Sequence, residues 1–259
     1  MKIRIITAIV AILLFFPFVI YGDWPFQVIM VAVSGIGFYE LLKMRHMTRF
    51  YVPMFLSMFL MFTFLLPRFA AVLYLDDVER LLLITLLLLS YTVLVKNQFT
   101  IEDAGFMLIT ATYVGVGFHY FIETQMIGLH YIFYVIIIIL ATDTGAYFSG
   151  RQFGKHKLWP EISPNKTIEG ALGGILLAVV VSVVFHLFFP VHESTWVVVI
   201  ASLLASMVAQ IGDLVESAYK RYYSVKDSGR LLPGHGGILD RFDSWLFVFP
   251  FLHMIQFIS

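Results

Sequence analysis

Long apolar runs separated by short polar connections dominate this chain. They fall at residues 5–21, 25–42, 53–66, 81–95, 104–121, 127–148, 168–189, 196–215 and 245–258. A helix that crosses a bilayer needs about 20 mostly apolar residues, rising about 1.5 Å each. The pattern therefore predicts an all-α, polytopic integral membrane protein with about nine transmembrane helices. The third and ninth runs are short. Residues 69–75 can carry the third past Pro67 and Arg68, so the count stands at eight or nine. The first run follows Lys2 and Arg4 as the core of a signal peptide would, but no small-residue cleavage site follows it, so it reads as a retained span.

The polar connections orient these helices, because cytoplasmic loops are enriched in Lys and Arg. Nine spans with a cytoplasmic N-terminus put Lys2, Arg4, Lys43, Arg45, Arg49, Lys96, Arg151, Lys155, Lys157, Lys166, Lys220, Arg221, Lys226, Arg230 and Arg241 on the cytoplasmic side. Only Arg68 and Arg80 fall outside. Loss of one early helix would invert every later loop, so the charges support both the count and the orientation. They also imply a multi-pass protein of the cell (inner) membrane.

Composition agrees with the pattern. Of 259 residues, 60% are hydrophobic and 13% charged, and mean hydropathy is +0.88, outside the range of soluble domains. Little chain remains for a separate soluble domain. The formal net charge of zero gives no reason to expect nucleic acid as a partner. With no cysteine, disulfides, thiolate metal sites and cysteine nucleophiles are excluded.

Candidate chemistry gathers in the second half. Residues 1–125 read as N-terminal packing helices, and residues 126–259 as a catalytic region with two cytoplasmic polar loops, 151–167 and 219–244. Asp143 ends the apolar run from Tyr134 to Leu140, where an unpartnered carboxylate is expensive. An interfacial acid or a helix-packing hydrogen bond is the plainer alternative. At helical spacing, Asp213, Ser217, Lys220 and Arg221 share one face. An acid, a hydroxyl and two cations there suit a metal-bound polyphosphate; a helix end with an internal Asp213–Lys220 or Asp213–Arg221 pair would look the same.

Further along, Gly234, His235, Gly236 and Gly237 form a loop whose successive N–H groups can converge on an anion. Asp240 and Asp243 follow at i and i+3, with Ser244 one turn from Asp240. In the earlier loop, Ser163 or Asn165 can cap the next helix, Thr167 is a phosphate-contact candidate, and Lys166 attracts anions. Gly170-x-x-x-Gly174 reads as close helix packing. His119, His130, His186, His192 and His253 lack metal-ligand spacing and read as structural.

Three blocks carry a family resemblance: Asp143-Thr-Gly-Ala-Tyr147, Ser163-Pro-Asn-Lys-Thr-Ile-Glu-Gly170, and the stretch from Gly212-Asp213 to Asp240-Arg241-Phe-Asp243-Ser244. Together they resemble the phosphatidate cytidylyltransferase (CDP-diacylglycerol synthase) family. The last block matches that signature at Ser217, Lys220-Arg221, Lys226-Asp227, Pro233 to Gly237, Asp240-Arg241 and Asp243. The likeness is strong from residue 137 to 244 and rests on hydropathy and length before that. Asn165 departs from the middle motif, where the family carries a lysine. The resemblance implies a multi-helix membrane enzyme that transfers CMP from CTP to phosphatidic acid, releasing pyrophosphate and acting as a homodimer. It also implies Mg2+, and admits a second, monovalent cation.

By the same carry-over Asp213 and Asp240 lead as metal ligands, with Asp143 and Asp243 next. Lys220 and Arg221 join the catalytic set, while Ser163, Lys166, Thr167, Ser217, Lys226, Gly234, His235, Gly236, Gly237 and Arg241 are expected to contact substrate. Two other readings remain at this level: a cation-coupled transporter using Asp143 and Asp213 as ion sites, and a related transferase with another lipid acceptor.

Overall fold

The computed structural model describes residues 2–259, except for the side chains of residues 2–5, Ala8 and Phe69. The basic side chains of Lys2 and Arg4, used above to orient the N-terminus, thus lie outside the described residues. The chain is mainly helical: α1 (Lys2–Tyr21), α2 (Asp23–Met44), α3 (Tyr51–Leu65), α4 (Pro67–Ala70), α5 (Asp77–Leu94), α6 (Ile101–Ile127), α7 (Leu129–Phe153), α8 (Ile168–Phe188), α9 (Thr195–Tyr222), α10 (Leu239–Phe242) and α11 (Trp245–Met254). Among the described residues, α2, α6, α7, α8 and α9 are long and apolar enough to cross a membrane. Three apolar helices are shorter: Ile9–Tyr21, Tyr51–Leu65 and Trp245–Met254.

Several boundaries differ from the hydropathy reading for identifiable reasons. Extension of the third run past Pro67 does not occur: Leu66 leaves helical geometry, and Pro67 begins the separate short turn of α4. The run at 81–95 gains a first turn because Asp76 and Glu79 form a reciprocal capping box at the start of α5. Polar connection 151–167 is not wholly irregular. It holds an antiparallel hairpin of β1 (Lys157–Trp159) and β2 (Ser163–Thr167). Nor is α8 capped by Ser163 or Asn165, which both precede its end in β2. Thr167 caps it, its Oγ1 accepting the Gly170 N–H at 3.1 Å.

The chain forms two compact units. One comprises Met1–Ile122 and Asp227–Leu239, the other Glu123–Lys226 and Asp240–Ser259. In the first, Phe26 packs edge-on against Phe121 at 5.4 Å between ring centroids, and Arg45 at the end of α2 pairs with Asp103 in the first turn of α6 at 2.7 Å. In the second, α7 and α8 approach at backbone contact. A Cβ on Gly145 would lie 2.7 Å from the Gly173 carbonyl, and one on Gly174 would lie 2.6 Å from the Thr142 carbonyl. Small residues allow this approach where lipid supplies no hydrophobic drive between helices. Buried hydroxyl pairs add direction: Tyr134 with Ser202 at 2.8 Å and Thr142 with Ser206 at 2.7 Å.

Candidate active site

Within the second unit, the glycine interface of α7 and α8 brings the Asp143 turn beside the end of β2. A cavity of about 460 Å3 opens there, lined by Asp143, Gly150, Arg151, Lys166, Thr167 and Asp213 among others. Two of the sequence blocks meet directly on its wall: Lys166 Nζ lies 2.6 Å from Asp213 Oδ2. Ser217, one turn along α9, donates its hydroxyl to the other oxygen of Asp213 at 3.3 Å. The internal Asp213–Lys220 or Asp213–Arg221 pair that α9 alone would permit does not form. Arg221 instead donates from Nε to the Ile162 carbonyl in the hairpin turn, at 3.2 Å.

Gly212 explains how the third block reaches α9. A Cβ there would sit 2.8 Å from the Asp243 carbonyl and 3.0 Å from Ser244 Cα, so only glycine lets the 240–244 turn lie on the helix. Ser244 secures it by donating its hydroxyl to the Ala209 carbonyl at 3.0 Å. That seating buries Asp240 against Lys220. The ammonium lies 2.7 Å from Asp240 Oδ1 and 2.8 Å from Glu216 Oε2, with the Asp240 and Glu216 side chains 5% and 2% exposed. Asp243 accepts the Ser244 N–H at 2.7 Å, and burial together with the charge of Asp213 pushes its carboxyl up to about 6.

Glu216 is a member of this cluster that the sequence reading passed over. Its spacing to Lys220 at i+4 was visible, but not that the pair points inward. Arg151, Tyr147 and Gln210 also line the cavity without having been singled out. Lys226 and Arg241 are exposed, Ser163 is half-buried in β2, and Thr167 is buried at its cap.

The glycine loop belongs to the first unit. Gly234 and Gly236 have positive φ, at 78° and 88°, as the turn requires. Its N–H groups are already directed inward: those of His235 and Gly236 both reach the Leu232 carbonyl, at 2.9 and 3.1 Å.

The described residues contain no group of three acids or histidines arranged to hold a metal ion. The donors suit a hard cation in kind, being aspartate oxygens backed by a hydroxyl, and Mg2+ is commonly held by one or two carboxylates with substrate phosphates completing its shell. The residues therefore fit Mg2+ as a site completed by a polyphosphate and not as a preformed cage.

A helical protein with membrane-length apolar helices, whose cavity wall carries a lysine–aspartate pair beside a second aspartate and an arginine, has the groups that a membrane enzyme needs to handle a phosphorylated substrate. More particularly, the chain belongs to the cytidylyltransferase family, whose model matches residues 2–259. It is 47% identical over 261 residues to the phosphatidate cytidylyltransferase of Bacillus subtilis, covering 98% of this chain and 97% of that one. It is 45% identical over 256 residues to the enzyme of the same name from Staphylococcus epidermidis, and 44% over 256 to that of Staphylococcus aureus. For both, coverage is 98% of each chain.

Proposed function

We infer that this chain transfers CMP from CTP to phosphatidic acid, giving CDP-diacylglycerol and pyrophosphate. The near-full-length identity to three phosphatidate cytidylyltransferases supports this reading. The observation that carries it to the residues is the meeting of Lys166 and Asp213 on the wall of the cavity shared with Asp143. Residues from three separated sequence blocks gather there, as handling of a common ligand would require.

Phosphatidate is already an oxyanion near neutral pH, so the protein need not supply a strong base. Its tasks are positioning and charge neutralisation. The lipid phosphate oxygen attacks the α-phosphorus of CTP, the bond to the bridging oxygen of the β-phosphate breaks, and pyrophosphate leaves with that electron pair. Lys166 and Arg151, which line the cavity, would receive phosphate oxygens. Lys220 keeps Asp240 oriented, and Ser217 does the same for Asp213. Asp213 and Asp240 would hold Mg2+, with Asp143 and Asp243 as further acids, and the ion would withdraw charge from the triphosphate. His235 and Gly236 spend their N–H groups within the turn, so any phosphate contact of the glycine loop falls to its other groups.

Nine spans, a cytoplasmic N-terminus, residence in the inner membrane, a cytoplasm-facing site and a homodimer complete the proposal. The distribution of Lys and Arg supports the count and orientation, with both polar loops on the side where CTP is found, while the homodimer rests on the family resemblance alone. The test is to incubate purified protein with labelled CTP, Mg2+ and a panel of lipid acceptors. Lipid-linked CMP should form only when phosphatidate, CTP and a divalent cation are all present. Absence of the product under every metal condition would reject the assignment.

A further inference from the structure

Glu40 lies one turn before the end of α2, in a helix otherwise given to packing, and is only 4% exposed. Its carboxylate sits inside the polar segment 228–239 of the same unit. Oε2 accepts the Ser228 hydroxyl at 3.1 Å and the Leu239 N–H at 3.0 Å. Oε1 accepts the Ile238 N–H at 3.1 Å. The glycines flanking this segment are shaped to the same group: a Cβ on Gly229 or on Gly237 would fall on the Glu40 carboxylate. Gly237 has no positive φ, so close approach, not backbone freedom, is what requires glycine there.

A buried carboxylate costs several kcal/mol unless its oxygens are satisfied, and hydrogen bonds to an ionised acceptor are about twice as strong as neutral ones. Two glycines, a serine and two consecutive backbone N–H groups thus form an anion nest. The anion in it belongs to the protein.

We propose that Glu40 is the positioning residue of the 228–239 loop: its carboxylate fills the nest that the glycine-rich sequence builds, and so fixes the loop in its nucleotide-competent form. This rests on the cytidylyl-transfer reading, which makes the loop a nucleotide contact. Leu239, whose N–H Glu40 holds, immediately precedes Asp240, so release of the carboxylate would loosen the backbone leading into that acid. Gln in place of Glu40 keeps the shape but turns an NH2 toward backbone donors, so it cannot rescue; only a carboxylate matches three donors.

The test compares E40A, E40Q, S228A and the S228A/E40A double variant in full-length protein, each with an added single cysteine at Arg230 to report on the loop. In E40A and E40Q the maleimide labelling rate at that cysteine should rise, and KM for CTP should rise about tenfold or more per folded molecule, with KM for phosphatidate little changed. S228A should have a smaller effect in the same direction, absent when Glu40 is already Ala. Unchanged labelling and unchanged KM for CTP in the Glu40 variants would overturn the proposal. So would a loss of kcat with labelling and both KM values unchanged, which marks a role other than ordering the loop. If the Glu40 variants fail to fold, S228A alone decides, since it removes one donor and leaves the carboxylate in place: faster labelling and a raised KM for CTP support the proposal, and no change rejects it. If the parent protein made no lipid-linked CMP, the transfer reading would fall, while the labelling rates would still decide whether Glu40 orders the loop.

Discussion

At the scale of the residue, three acids and two lysines of the second unit, Asp213, Glu216, Asp240, Lys166 and Lys220, divide into two kinds. Asp213 and Lys166 are 35% and 26% exposed, on the cavity wall. The Glu216 and Asp240 side chains are buried on either side of the half-buried Lys220 ammonium. Asp213→Asn should therefore remove a cation-binding charge at a smaller structural cost than a change at the buried acids, since the Asn oxygen can still accept from Lys166. Turnover should fall on the order of a thousandfold, equivalent to about 4 kcal/mol of transition-state stabilisation, with the detergent Tm held; near-normal turnover and Mg2+ dependence would rule out a metal role for this residue. Lys220→Met should behave differently. Removal of the one cation between two buried carboxylates costs about 3–5 kcal/mol, so activity and Tm should drop together. A Lys220 variant that keeps full stability while losing turnover would show that the ammonium acts on substrate and not on its two neighbours.

At the scale of the element, the close contact of α7 with α8 sets the cavity. The cap at Thr167 sets where β2 gives way to α8, and Glu169 in that first turn accepts the backbone N–H groups of Lys155 and His156 at 3.1 and 3.2 Å. Thr167→Ala should cost about 1 kcal/mol through the lost cap, read as a lower Tm. Gly145→Ala drives a methyl against the Gly173 carbonyl, and overpacking of this kind costs about 1–3 kcal/mol. Its expected outcome is a lower Tm with a raised KM for CTP, because the wall bearing Asp143 must shift. A Gly145→Ala protein with parental Tm and kinetics would show that the two helices tolerate separation.

At the scale of the whole molecule, sidedness can be read without background labelling, because the chain has no cysteine. Glu193 and Arg230 are both exposed in polar connections. A cysteine replacing Glu193 should react with an impermeant maleimide from outside intact cells, and one replacing Arg230 only after the cytoplasmic face is opened. The reverse pattern would overturn the orientation.

The sequence by itself determined the helical membrane class, because apolar length and helix spacing are local properties that survive without knowledge of packing. The resemblance carried by the blocks at Asp143, at Ser163 to Gly170 and at Gly212 to Ser244 likewise needs only linear order, and the family match agrees with it. Tertiary structure alone decided which charges meet. On α9, Lys220 faces Glu216 and Asp240 while Asp213 is left to Lys166 from a different element, since helical spacing fixes a face but not what that face touches. It also decided what the glycine loop encloses. Glu40 stands 188 residues from the Ser228 hydroxyl that it receives, and no local pattern links them. A single acid within the apolar run 25–42 was the available signal, and only the folded chain shows the donors around it.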